Sequence, residues 1–104
     1  MIEQVYRFSR SDEKAIEKIL FDEQLHYLHM VLPQGEGLPI HYSNSTVYMS
    51  VIRGQLSIGL DQQAIAVYPA GTMLKIPVDT QMNVQNAHPE VLELIVVKAP
   101  APVV

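Results

Sequence analysis

The stretch Gly71–Asn86, with the sequence Gly-Thr-Met-Leu-Lys-Ile-Pro-Val-Asp-Thr-Gln-Met-Asn-Val-Gln-Asn, decides the fold of this chain. It predicts two short strands, Thr72–Ile76 and Gln81–Asn86, with a turn between them. Pro77 ends the first strand because proline has no N–H group to donate to a sheet. The earlier block Gly37–Gly54 has a similar build: a turn, a histidine, a strand rich in β-branched and aromatic residues, and a glycine.

Short strands of this kind recur along most of the chain. Glycine and proline separate them, and no helical pattern lies between them, which indicates an all-β sandwich or barrel. We expect one domain, with an N-terminal arm or short helix over residues 1–23, a β-barrel over 24–98 and a tail over 99–104. The other predicted strands are Gln24–Leu32, Thr46–Arg53, Gln55–Leu60, Ala64–Tyr68 and Val91–Lys98.

The N-terminal part of the chain allows two interpretations. Ser9 or Ser11 can cap a short helix, because a hydroxyl at this position accepts a hydrogen bond from the first helical turn. Apolar residues then follow at helical spacing: Ala15, Ile16, Ile19 and Leu20. We expect this helix, and the alternative is that Ala15–Phe21 is already extended.

Composition and charge exclude several classes of function. The chain has 104 residues, a net charge of −4 and no cysteine. Its basic residues form no cluster that could neutralise nucleic-acid phosphates, and disulfides and thiolate metal sites are excluded. The most apolar run, Val91–Val97, is too short to span a bilayer, and Met1–Arg10 lacks the apolar core of a signal peptide. We therefore predict a cytoplasmic protein that binds neither nucleic acid nor membrane.

The spacing of Gly71, Pro77 and Asn86 resembles the second sequence motif of the cupin family. That motif is a Gly, five residues, a Pro, one residue, a Gly, two residues, a His, three residues and an Asn. In this chain Asp79 replaces the second Gly, and Met82 replaces the His. The resemblance is to small RmlC-like cupins, and it implies a jelly-roll barrel, also called a double-stranded β-helix.

The first cupin motif is matched only in part. It consists of a Gly, five residues, His-x-His, three or four residues, a Glu, six residues and a Gly. His41 takes the first His and Gly54 the final Gly, whereas Ser43 and Val47 stand at the second His and the Glu. In cupins the two His, the Glu and the later His converge on one divalent cation. Since His41 alone is retained and an open catalytic site uses about three protein ligands, we predict no metal and no cofactor.

Two further histidines could join His41 in a rearranged metal site. His26 and His29 lie on one predicted strand, three residues apart, and therefore face opposite sides of it. Both faces of that strand are apolar, so alternation does not decide which histidine points inward. We expect His29 to be the inward one because it lies nearer the mouth of the barrel.

The predicted interior of the barrel is apolar and flexible, with an imidazole and a hydroxyl near its mouth. Such a lining suits a small, mostly apolar organic ligand held by one or two hydrogen bonds. The alternative is that the same side chains simply fill a small barrel. The residues expected to bind the ligand are His41, Ser43, Val47, Met49, Met82 and His29.

The last predicted strand indicates a partner. Val91–Val97 is apolar on both faces except at Glu93, whereas a strand with a wet outer face should alternate with polar residues. We therefore expect the outer face to be covered, either by the N-terminal segment or by a second subunit. Because small cupins commonly dimerise by sheet packing, we predict a homodimer.

Three hypotheses on function follow. The preferred one is a cupin that binds a small molecule without a metal and is not an enzyme, since no general acid–base pair is visible in the two motif blocks. The second is a metal-dependent cupin enzyme of isomerase or dioxygenase type that uses His41 plus His29 or His26. The third is a non-catalytic dimeric interaction module.

Overall fold

A computed structural model describes residues 1–103 and contains nine strands in that range. They are β1 (Ala15–Phe21), β2 (His26–Leu32), β3 (His41–Tyr42), β4 (Val47–Arg53), β5 (Gln55–Leu60), β6 (Ala66–Pro69), β7 (Met73–Ile76), β8 (Gln81–Gln85) and β9 (Leu92–Lys98). Five strands form sheet A in the order β1-β2-β9-β4-β7, and four form sheet B in the order β3-β8-β5-β6. All paired strands are antiparallel.

The predicted all-β class is confirmed. Residues 1–103 contain no helix, and therefore none that is long and apolar enough to cross a membrane. Inward-facing side chains of the two sheets meet in one hydrophobic core, which includes Val47, Met49, Val51, Ile76, Met82 and Val84. Burial of this apolar surface holds the two sheets together.

The prediction of a helix in the N-terminal part of the chain is wrong. The alternative prediction, that Ala15–Phe21 is extended, is confirmed. Ala15–Phe21 forms β1, which pairs antiparallel with β2 along its length. This pairing gives the backbone N–H and C=O groups their partners, and it overrides a weak helical preference. The register shifts between Lys18 and Leu20, so the ladder at this edge of sheet A is irregular. Residues 1–14 precede β1 as an arm without regular secondary structure.

Strict alternation in β2 and β9 separates the inside of the barrel from its outside. The inward residues of β2 are Leu28, Met30 and Leu32, and those of β9 are Leu92, Leu94 and Val96. In register, Met30 lies opposite Leu94. The residues between them, such as His29 and Glu93, therefore face the outer side of sheet A.

The turn between β7 and β8 keeps a backbone conformation that favours glycine, although its residue is Asp79. The φ angle of Asp79 is 62°, and aspartate is one of the few residues that tolerate this left-handed region. Its N–H donates to the carbonyl oxygen of Ser43 at 2.9 Å, and the N–H of Ser43 donates to the carbonyl oxygen of Thr80 at 2.9 Å. The turn is therefore fastened to the segment that follows β3.

We expect Gly54→Ala to destabilise the protein more than Gly71→Ala. Both glycines have a positive φ, 82° and 90°, which costs a residue with a Cβ about 1–2 kcal/mol. A Cβ at Gly54 would also overlap the carbonyl oxygen of Val91, whereas nothing lies within 4 Å of one at Gly71. Urea unfolding measures both losses, and equal losses would contradict the steric argument.

Candidate functional site

A small cavity lies at the end of the barrel where the residues of the two motif blocks meet. His41 pairs with Met82 across β3 and β8, and Val47 and Met49 of β4 approach from sheet A. The cavity volume is about 30 Å³, which is room for one or two water-sized groups. Its lining consists of Met30, Leu38, His41, Val47, Met49, Met82, Val84, Val96 and Lys98. Four of the six predicted ligand-binding residues are thus brought together.

His41 is exposed and lies at the rim of this cavity. Its Nδ1–H donates a hydrogen bond to the carbonyl oxygen of Pro39 at 2.8 Å, since a carbonyl oxygen can only accept. This bond orients the ring and leaves Nε2 for another partner. Nε2 accepts a hydrogen bond when the ring is neutral and donates one when it is protonated.

Ser43 does not line the cavity, so the prediction that it faces the ligand space is wrong. Its buried hydroxyl donates to the carbonyl oxygen of Pro77 at 2.6 Å and accepts from the N–H of Thr80 at 3.0 Å. Both bonds reach the turn between β7 and β8. Because the single hydroxyl proton is already used, Ser43 holds this turn in place and has no donor left for a ligand.

His29 faces away from the barrel, so the prediction that it is the inward histidine of β2 is also wrong. In register it lies between Glu17 of β1 and Ile95 of β9, on the outer face of sheet A. It is fully buried there, and the ring of Phe8 from the N-terminal arm stacks on it at a centroid distance of 4.3 Å. His26 has the inward parity, but it lies at the start of the strand.

A carboxylate lies on each side of the His29 ring. Nδ1 is 2.7 Å from Oε1 of Glu17, and Nε2 is 2.7 Å from Oε2 of Glu93. Ionised carboxylates only accept hydrogen bonds, so both ring nitrogens donate when both acids are ionised, and His29 is then an imidazolium. Arg53 extends the network: its Nε is 3.5 Å from Oε1 of Glu93, and its Nη1 is 2.8 Å from Oδ1 of Asp12. These five side chains join the arm to four strands of sheet A.

We expect acid to weaken this network through Glu17. The hydrogen bond from His29 lowers the pKa of Glu17, with a smaller contribution from the N–H of Ser9, while burial opposes the shift. A carboxylate with a lowered folded-state pKa stabilises the protein above its unfolded pKa, and this contribution is lost as the pH falls through the folded pKa. The free energy of unfolding should therefore decrease from about pH 5 downwards, and less steeply in Glu17→Gln.

Urea unfolding at a series of pH values tests this prediction. Glu13→Gln removes an exposed carboxylate outside the network and serves as the control. The same pH dependence in the unaltered protein and in Glu17→Gln would contradict the assignment.

The side chains at the four cupin ligand positions do not fit a divalent cation. His41 is the only imidazole or carboxylate among them; Val47 has no donor, and the Ser43 hydroxyl is engaged by the turn. The thioether of Met82 suits Cu(I) rather than the harder divalent ions. His29 cannot be recruited, because it lies on the other face of β2. In residues 1–103 no group of three His, Cys, Asp or Glu side chains is placed to hold a metal ion.

Sequence reasoning missed four residues of the cavity: the apolar Met30, Leu38 and Val96, and the charged Lys98. Lys98 matters most for the chemistry of the site. It continues the inward alternation of β9 two residues beyond Val96, and in register it lies between His26 and Val47. That alternation is the signal that would have placed its side chain on the inner face. The cavity therefore contains two polar side chains, the imidazole of His41 and the amine of Lys98.

Comparison with known proteins finds a close relative in an archaeon. An uncharacterized protein of Methanocaldococcus jannaschii is 41% identical over 103 residues, which are 98% of this chain and 89% of that protein. Its crystal structure is described as an RmlC-like cupin family protein with a double-stranded β-helix fold. It matches this chain with a TM-score of 0.95 at 41% identity, covering 98% of this chain and 94% of that one. No family profile matches the chain.

More distant structures share the fold alone. A cupin superfamily protein of Desulfitobacterium hafniense matches with a TM-score of 0.76 at 10% identity, covering 89% of this chain and 83% of its own. A Klebsiella pneumoniae protein with a double-stranded β-helix domain matches with a TM-score of 0.78 at 18% identity, covering 91% and 83%. The predicted jelly-roll barrel is thereby confirmed.

Proposed function

Because the chain belongs to the RmlC-like cupin family, we propose that it binds a small, mostly apolar organic ligand at the mouth of its barrel, without a divalent metal. The observation that carries this proposal is the composition of the cavity wall. Seven of the nine lining residues are apolar, and only His41 and Lys98 are polar. A wall of this kind favours an apolar molecule that one or two polar groups orient.

Three methionines give the wall room to adjust. Met30, Met49 and Met82 all line the cavity, and an unbranched methionine side chain can rearrange around ligands of different shape. Such movement is required, because a cavity of about 30 Å³ admits only one or two water-sized groups as it stands. The competing interpretation, a barrel filled by its own side chains, expects no ligand to enter.

Catalysis by a metal or by a pair of carboxylates receives little support from this wall. No Asp or Glu of residues 1–103 lines the cavity, so these residues supply no carboxylate there to hold a hard cation or exchange protons. His26 remains the only histidine of β2 with the parity to approach His41. A single added imidazole would still leave a metal with two protein ligands, fewer than the three that open catalytic sites use.

The methionines supply a test of ligand binding. We expect small apolar probes such as phenol, isobutanol and isobutyramide to shift the methyl NMR signals of Met30, Met49 and Met82 in chelator-treated protein, because these residues would contact the probe. Met1 and Met73 are 96% and 57% exposed and lie outside the cavity, so their methyl signals are internal controls.

Two results would contradict the proposal. If no probe shifts the three cavity methionines, or if all five methionines shift alike, the barrel is a filled core or the probes bind without a site. Elemental analysis of protein purified without chelator tests the second part of the proposal, that no divalent metal is bound. Stoichiometric zinc, manganese, iron or nickel would overturn the proposal that no metal is used.

We also propose that two copies pair through the outer face of sheet A. Tyr48, Val97 and Tyr27 lie side by side in register across β4, β9 and β2, and each is only half-buried. Tyr6 and Phe8 of the arm lie beside this row and are 46% and 42% exposed. A single copy thus leaves an apolar strip partly uncovered. If a two-fold axis relates two copies, the strip on each copy covers the strip on the other.

A single charge in this strip should abolish the dimer. We expect Val97→Glu to yield a monomer, because the carboxylate would be buried between two apolar faces without a partner. Val67→Glu is the matched control, since Val67 is 48% exposed on β6 of sheet B. Light scattering after size-exclusion chromatography measures the mass of each. A monomeric unaltered protein, or a Val97→Glu variant that still dimerises, would contradict the proposal.

A further inference from the structure

Lys98 brings a charged amine to the inner face of the barrel. It follows Val96 in the inward alternation of β9, and it lines the same cavity as His41. We infer that the ligand carries a carboxylate group, which the ammonium of Lys98 and the imidazole of His41 hold at the mouth while the apolar part of the ligand enters the barrel. This inference rests on the proposed function and names the chemical class of its ligand.

No acidic side chain of residues 1–103 balances this ammonium. None of the residues lining the cavity is Asp or Glu, and none of the ion pairs in the described part of the chain includes Lys98. Its neighbour in register on β2 is His26, which brings no negative charge. The chain has 11 acidic and 7 basic residues, so the missing partner does not reflect a shortage of carboxylates.

The surroundings of Lys98 make its charge costly. Partial burial lowers the pKa of the Lys98 amine, and the positive charge of Lys18 lowers it further. Both effects disfavour the ammonium form, because burial removes water from it and the like charge of Lys18 repels it. A ligand carboxylate would supply that charge through a hydrogen bond between two ionised groups, which is stronger than one between neutral groups.

His41 supplies a second contact at the rim. Its Nδ1–H is already bonded to Pro39, so Nε2 is the nitrogen that can meet a second carboxylate oxygen when the ring is protonated. The ammonium of Lys98 matches the single charge of a carboxylate, whereas the further oxygens and charge of a phosphate would lie against an apolar wall. The apolar wall and the small cavity limit the rest of the ligand to a short, compact hydrocarbon group.

Isobutyrate and isobutyramide are suitable probes, because they share one apolar body and differ in the charge of the polar group. Each is titrated into the chelator-treated full chain at constant ionic strength, with the methyl signals of Met30, Met49 and Met82 as the readout. We expect isobutyrate to bind about tenfold more tightly than isobutyramide, because its carboxylate forms a charge-assisted hydrogen bond that the neutral amide does not. Lys98→Met keeps the length of the side chain and should abolish this preference, whereas Lys75→Met, an exposed lysine on β7, should keep it.

The outcomes separate this inference from the function on which it rests. If isobutyramide binds as tightly as isobutyrate, or if Lys98→Met retains the preference, the carboxylate inference is overturned while ligand binding stands. If neither probe nor any other apolar probe shifts the cavity methionines, the proposed function is overturned and the inference falls with it. If Lys98→Met does not fold, the test uses the unaltered protein instead, with the side-chain NMR signals of Lys98 as the readout. A shift with isobutyrate alone supports the inference, and no shift with isobutyrate overturns it.

Discussion

The register of β9 against its two neighbours is the constraint on which the rest of the structure depends. β9 lies between β2 and β4, and Leu94 is opposite both Met30 and Val51, so that three core residues form one row. Because side chains alternate along a strand, this row fixes which residues of β2 and β9 face the core, and those of β4 as far as the register shift between Val51 and Arg53. A shift by one residue would carry Glu93 into the core and bring Leu94 to the surface.

The same constraint distributes the chemistry of the molecule between two places. His29, which was expected to point inward beside His41, lies on the outer face, where it links Glu17 to Glu93 under the N-terminal arm. Inside, the apolar wall is interrupted only at the mouth, by His41 and Lys98. Under the proposed function, this interior would select a ligand by shape and by one charge. The outer network holds the arm on the sheet.

Elements whose ends are marked by special residues could be predicted from the sequence, and elements decided by pairing could not. The predicted strand Gln55–Leu60 has the bounds of β5, because Gly54, with a φ of 82°, turns the chain immediately before it. The strand Ala15–Phe21 could not be predicted, since its apolar residues also fit a helix and only pairing with β2 decides between the two. The face of the sheet on which His29 lies could not be predicted, because both faces of its strand are apolar. Lys98 was not predicted, because a lysine at the end of a strand usually extends into solvent, although it shares the parity of Val96.

The two free edges of sheet A also influence how the protein behaves at high concentration. At one edge, the ladder of β1 is irregular between Lys18 and Leu20, and the exposed lysine adds a charge there. At the other edge, β7 has four residues and is followed directly by Pro77. Bulges, charges, shortness and proline all make an edge a poor template for a strand from another molecule. The molecule is thereby protected against open-ended, fibre-like growth, although both edges are uncovered.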